Sequence, residues 1–176
     1  STSRITDDPW RGFTLTEPEN AIKSSTVRGL EIEIQTNLRY LPSPFDGIVL
    51  YANYSNIWSE TFFPFFEIGP RSTLPPFKAT IIDTVRAGRM PGQTDQIFNF
   101  SIGYEKRWFS GRLSMIYQGS SLKSIGSRKE LDAFTDDFLR LDFTMKANMS
   151  EHVRLFMNLN NLTNYSESSY IGFTDF

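Results

Sequence analysis

Cysteine is absent from all 176 residues, which rules out disulfide frameworks and thiolate metal sites. Histidine is nearly absent too. The single His152 has no second imidazole or thiol with which to share a metal or build a catalytic relay. No run of about 18 apolar residues occurs, so membrane-spanning helices are excluded and spanning strands are not. Neither sign of charge dominates: 18 basic residues against 20 acidic give a net charge of −2. With no basic block, nucleic acid is not an expected partner. Phosphate-cradling glycine loops, nucleophile elbows and zinc spacings are missing, so no enzyme activity, catalytic residue, metal or cofactor is expected. A convincing helical period, a low-complexity tract and a domain linker are missing as well.

What the chain does have is an unusual pairing of low overall hydrophobicity, 39%, with a high aromatic fraction, 15%. A closed membrane barrel produces that mixture, because only one face of each strand meets lipid and rings gather where strands cross the headgroup region. Leu30, Ile32, Ile34, Leu38 and Tyr40 alternate with Glu31, Glu33, Gln35, Asn37 and Arg39. Leu139, Leu141, Phe143, Met145 and Ala147 alternate with Arg140, Asp142, Thr144, Lys146 and Asn148. Strand side chains point to opposite faces with period two, so each segment is predicted to carry one greasy and one polar face. Ten obedient positions in a row arise by chance with a probability on the order of 0.001. Weaker alternations run through Ile48 to Tyr54, Phe98 to Tyr104, Phe109 to Tyr117 and Val153 to Leu159. A ten-residue strand tilted near 45° covers roughly 23 Å of height, about the apolar band of an outer-membrane barrel.

Connections are predicted to be short at Leu41–Gly47, Lys106–Gly111 and Met149–His152, and long at Ile57–Thr94 and Ser120–Asp137. Short turns on one side and long loops on the other match the periplasmic and extracellular sides of such a barrel. The fold class expected is therefore all-β, with about seven or eight antiparallel transmembrane strands forming barrel wall.

Several residues invite a chemical reading beside a plainer one. Glu31 and Glu33 have the same-face spacing of paired glycosidase carboxylates, yet Gln35, Asn37 and Arg39 continue that face, which favours a polar lumen wall. Arg140 and Asp142 are expected to face the lumen in the same way. Asp132, Asp136 and Asp137 could offer oxygens to calcium or form a solvated acidic loop. In the long Ile57–Thr94 link, Phe65, Phe66, Arg71, Arg86 and Arg89 set rings beside cations, which suits capture of an anionic or ring-bearing ligand; packing between loops is the plainer account. Trp58, Trp108, Phe109 and Tyr117 are predicted near strand ends, as an interfacial girdle.

A resemblance extends over most of the chain. Asn20 with Val27-Arg28-Gly29-Leu30-Glu31, the Ala52-Asn53-Tyr54-Ser55 string, Met90-Pro91-Gly92-Gln93 followed by Asn99 to Glu105, and Asn158 to Asn164 stand in an order that resembles the C-terminal barrel region of TonB-dependent outer-membrane receptors of Bacteroidetes-like bacteria. The resemblance implies a barrel of roughly 22 strands of which this chain is part. It further implies uptake of a scarce nutrient such as a siderophore, corrinoid or glycan, driven by a TonB complex that contacts a plug domain. Nothing in the chain resembles a plug or TonB-contacting box, and the closing strand is expected to be absent. The implied partners are outer-membrane lipid, a small-molecule nutrient and, through the plug, the TonB complex. Two alternatives remain open: a complete small eight-stranded barrel serving as anchor or adhesin, and a soluble β-sandwich binding module.

Overall fold

The computed structural model describes residues 2–4, 14–16, 23–71 and 79–172. The strands in chain order are β1 (Thr2–Arg4), β2 (Thr14–Thr16), β3 (Thr26–Asn37), β4 (Ile48–Arg71), β5 (Ala79–Gly88), β6 (Gln96–Glu105), β7 (Phe109–Gln118), β8 (Ser121–Ser124), β9 (Ala133–Thr135), β10 (Phe138–Asn148), β11 (Arg154–Leu159) and β12 (Ser169–Ile171). Every pairing is antiparallel, and two 3-10 turns are the only helical segments among the described residues. The fold is all-β, as the period-two alternation predicts.

Backbone contacts divide the chain into two compact units, one of Thr26–Glu60 with Arg89–Phe176 and one of Ser1–Ser25 with Thr61–Gly88. The first unit is dominated by an open sheet in the order β11-β10-β7-β6-β4-β3, to which β4 lends its first part. Neighbours across a ladder share a face, so the register decides where each apolar stripe goes. Ile34, Ala52, Phe100, Met115 and Leu141 stand opposite one another in one row across five strands. Ile32, Tyr54, Phe98, Tyr117 and Leu139 form the next row, and Leu50, Ile102, Leu113, Phe143 and Leu159 another. Six separately legible stripes therefore merge into one apolar face.

Nothing among the described residues covers that face. Ile32 is 51% exposed, Ile34 61% and Leu139 41%, whereas Leu122 is the one apolar side chain buried among the described residues. Soluble domains of this length bury a core between two layers. Here one layer presents its hydrophobic side outward. The outer edges of β3 and β11 have no strand partner among the described residues either, so the sheet is open.

The ends of the sheet differ. At one end the links are Leu38 to Gly47, closed by Leu38 N donating to Ile48 O at 2.9 Å, and the two-residue turn at Arg107-Trp108, closed by Lys106 N to Phe109 O at 2.7 Å. The turn before β11 belongs to this end as well, with Met149 N donating to Val153 O at 3.0 Å. Leu38, Arg39 and Tyr40, expected to extend the first strand, lie in the link instead, because the chain has already turned toward β4. At the other end a small sheet in the order β12-β9-β8 builds on the Ser120–Asp137 link, around Leu122 and the stacked rings of Phe134 and Tyr170, 5.6 Å apart.

The second unit holds the β1-β2 pair and a hairpin in which the second part of β4 pairs with β5, from Thr61 opposite Gly88 to Ile68 opposite Ile81. The Ile57–Thr94 stretch, expected as one long loop, is thus largely β-structure. Pro64 and the phenylalanines around it made it read as loop; beyond Glu60, β4 has a partner on one side only among the described residues, and a proline nitrogen can face the open side without costing a ladder bond.

Candidate functional site

The face opposite the apolar rows is polar, and it gathers the residues expected to line a lumen. Glu31, Glu33 and Gln35 sit on it in β3, and Arg140 and Asp142 sit on it in β10, carried there by the rows Glu33–Asn53–Asn99–Ile116–Arg140 and Gln35–Tyr51–Ser101–Ser114–Asp142. Side-chain bonds cross the strands on this face. Asn53 Nδ2 donates to Glu31 Oε1 at 2.8 Å, and Asn99 Nδ2 donates to Asn53 Oδ1 at 3.4 Å. Asn53 is 7% exposed, so leaving its amide unpaired would carry a desolvation penalty. Arg140 Nε donates to Asp142 Oδ2 at 3.1 Å, and Arg112 pairs with Glu105 at 3.5 Å. Period-two spacing gives Asn53 and Asn99 the same face as Glu31; which of them bond to one another depends on register, which the sequence does not state.

Asp142 also accepts the backbone N–H of Asn161 at 2.8 Å, where the chain leaves β11. Asn161 and Asn164 adopt left-handed backbone, φ 56° and 51°, a conformation that asparagine tolerates better than most residues. The turn they make returns along β10: Leu162 N donates to Leu141 O at 2.7 Å and Thr163 Oγ1 to Leu139 O at 2.7 Å. At this end a cleft of about 340 Å³ opens beside Gln118, Asp136, Phe138, Arg140, Tyr165 and Glu167. The rings of Phe138 and Tyr165, 5.1 Å apart, form one wall. Of these, Arg140 was expected on the lumen face and Asp136 in an acidic loop; Tyr165 and Glu167 belong to a segment without periodicity.

The five residues expected to meet a ligand are not brought together as one described group. Arg86 lies over the Phe65 ring at 5.8 Å in the β4–β5 hairpin, a cation–π arrangement. Arg89 belongs to the other unit, where it pairs with Asp95 at 2.9 Å and donates to the Ser120 carbonyl at 3.0 Å, tying a loop. The side chains of Phe66 and Arg71 lie outside the described residues. The acidic loop is put to structural use: Asp132 is 7% exposed and accepts Gly126 N at 2.9 Å, and Asp136 accepts the Ser168 hydroxyl at 3.0 Å. No group of three potential metal ligands occurs among the described residues, and no helix there is long and apolar enough to cross a membrane, which leaves strand crossing open.

Of the residues expected as a girdle, Phe109 and Tyr117 stand at the ends of β7 and Trp108 in the turn before it, whereas Trp58 lies in the interior of β4, near where its pairing with β3 ends. Trp58 is opposite Arg28, Phe109 opens β7 with Trp108 just before it, their rings 5.5 Å apart, and Tyr117 is next to last in β7. No family model, curated protein or solved structure matches the chain.

Proposed function

We propose that the chain is transmembrane wall of an outer-membrane β-barrel and works in a TonB-dependent receptor that imports a scarce nutrient such as a siderophore, corrinoid or glycan. The observation that carries the membrane reading is the continuous apolar face, spread over six strands and left uncovered. In water such a face costs roughly 25 cal/mol for each Å² exposed; in hydrocarbon that cost is absent. A soluble sandwich needs a second layer against this face, and the described residues supply none. The stripe Leu139 to Ala147 spans eight residue steps, about 26 Å along the strand, a length suited to a tilted crossing. Short turns at one end and elaborated links at the other fit a periplasmic and an extracellular side. The edges of β3 and β11, unpaired among the described residues, support wall within a larger barrel over a complete small one, because an open edge in lipid leaves backbone groups unsatisfied.

On this reading the polar face lines the lumen, the cleft at Arg140 and Tyr165 opens at the extracellular mouth, and Arg89 belongs to a link on that side. The receptor assignment rests on the string resemblance given above. This chain contains no cysteine, so labelling within it reports only the residues introduced. Single cysteines placed along β10 in the protein in its own cells should react with a membrane-impermeant maleimide at positions 140, 142, 144 and 146. At 139, 141, 143 and 145 they should react only with a lipophilic reagent. Equal labelling of both sets by the polar reagent would remove the membrane reading, and growth on the nutrient unaffected by deleting the protein would remove the import reading.

A further inference from the structure

The cleft of about 340 Å³ lined by Gln118, Asp136, Phe138, Arg140, Tyr165 and Glu167 lies wholly within one compact unit. It is small but within the range of about 300–1,000 Å³ typical of ligand pockets. Charge in it is lopsided. Arg140 is balanced by Asp142, to which its Nε donates at 3.1 Å, so the carboxylates of Asp136 and Glu167 are left without a cation among the described residues. The Asp137 N–H and the Ser168 hydroxyl each donate to Asp136 at 3.0 Å, bonds that orient its carboxylate without cancelling its charge. Beside these acids stand the rings of Phe138 and Tyr165, 5.1 Å apart and tilted by 36°. Aromatic faces carry partial negative charge and attract cations. The Tyr165 hydroxyl is buried and has no hydrogen-bond partner among the described residues, a desolvation cost that a donor entering the cleft would remove. The Gln118 amide is no such donor, because it already donates to Thr94 Oγ1 at 2.7 Å. Carboxylates, an unbonded hydroxyl oxygen and aromatic faces are all complementary to one kind of group, a cation that donates hydrogen bonds.

We infer that this cleft is a binding site for a small molecule carrying a protonated primary amine. An ammonium has N–H donors and no acceptor, so Glu167, Asp136 and the Tyr165 hydroxyl match it, and Phe138 with the Tyr165 ring offers an apolar wall to the carbons that carry it. A carboxylate or phosphate ligand would instead meet two like charges, and a neutral alcohol gains nothing from them. The inference goes beyond the membrane reading and does not depend on it, since the cleft is built by one unit whatever the apolar face meets.

The test titrates the full protein in detergent with butylammonium, 1-butanol and butyrate, probes of one chain length and different charge, and reads binding by saturation-transfer NMR with protein-free micelles as the blank. Butylammonium should bind in preference, with the other two about tenfold weaker. Glu167→Gln keeps the shape of an exposed side chain and removes its charge, and should weaken butylammonium about threefold. Phe138→Leu should cost about threefold as well, and the two together about tenfold. The comparison of probes on the unaltered protein holds whether or not a variant folds. Equal binding of butylammonium and 1-butanol, tighter binding of butyrate, or a doubly substituted protein that binds butylammonium as before overturns the assignment. The cysteine-labelling pattern along β10 is read separately: its failure leaves the amine site standing, and failure of the amine site leaves the membrane reading standing.

Discussion

Leu141 stands in the middle of the apolar face, opposite Met115 and between Leu139 and Phe143 on its own strand. Thr144, three residues further along β10, stands on the polar face opposite Arg112 and is exposed. Arginine at these two positions separates a lipid-facing surface from a water-facing one. On the lipid side of a barrel an arginine at mid-depth costs about 2–4 kcal/mol, and the cost falls to about 0–1 near the rim. Leu141→Arg should therefore lower unfolding free energy by about 3 kcal/mol, a factor of more than one hundred in the folding constant. Thr144→Arg should stay within about 0.5 kcal/mol, the range of ordinary surface substitutions. Ala147→Arg, on the apolar face next to the Arg107-Trp108 turn, should fall between them, at no more than about 1 kcal/mol. Urea unfolding of the protein in lipid vesicles, followed by tryptophan fluorescence, measures all three. If the apolar face met water instead, Leu141→Arg would be neutral or improve solubility. Equal effects of the arginines at 141 and 144 would refute the reasoning.

Other substitutions probe the sheet and its ends. Asn53→Ala should cost about 1–2 kcal/mol by leaving Glu31 without its donor, while Asn99→Ala should cost less because its bond is longer; a double-mutant cycle with Glu31→Ala isolates the pair. Gly126→Ala should disrupt the Ser120–Asp137 link, since the new Cβ would collide with the Leu131 carbonyl; limited proteolysis of that link should quicken while the main sheet stays intact. Phe134→Ala and Tyr170→Ala should show a coupling of about 0.5–1.5 kcal/mol, and hydrogen exchange at Ser169–Ile171 should rise in both.

Period two was enough to find β6, β7 and β10 nearly to their ends and β3 with its bounds shifted toward the link, because an amphipathic strand writes its two faces directly into the residue order. Pairing that joins Ile34 to Ala52 and Phe100 to Met115 is a long-range property, and it turned separate stripes into one surface. The β4–β5 hairpin was missed because Pro64 and its aromatic neighbours hide any alternation. β8, β9 and β12 are three or four residues long, too short to show a period. Among site residues, the polar wall Glu31, Glu33, Gln35, Arg140 and Asp142 was legible by parity alone. Tyr165 and Glu167 were not, because a turn with two left-handed asparagines carries them to β10.

That turn has a mechanical consequence. By occupying the Leu139 and Leu141 carbonyls it leaves β11 only six residues long, against ten to twelve for β3, β6, β7 and β10. A neighbouring strand added beyond β11 would be stitched along about half the length available at the other seams. If the sheet is wall of the proposed barrel, it would unzip there first under tension, and a sideways opening would begin at this seam.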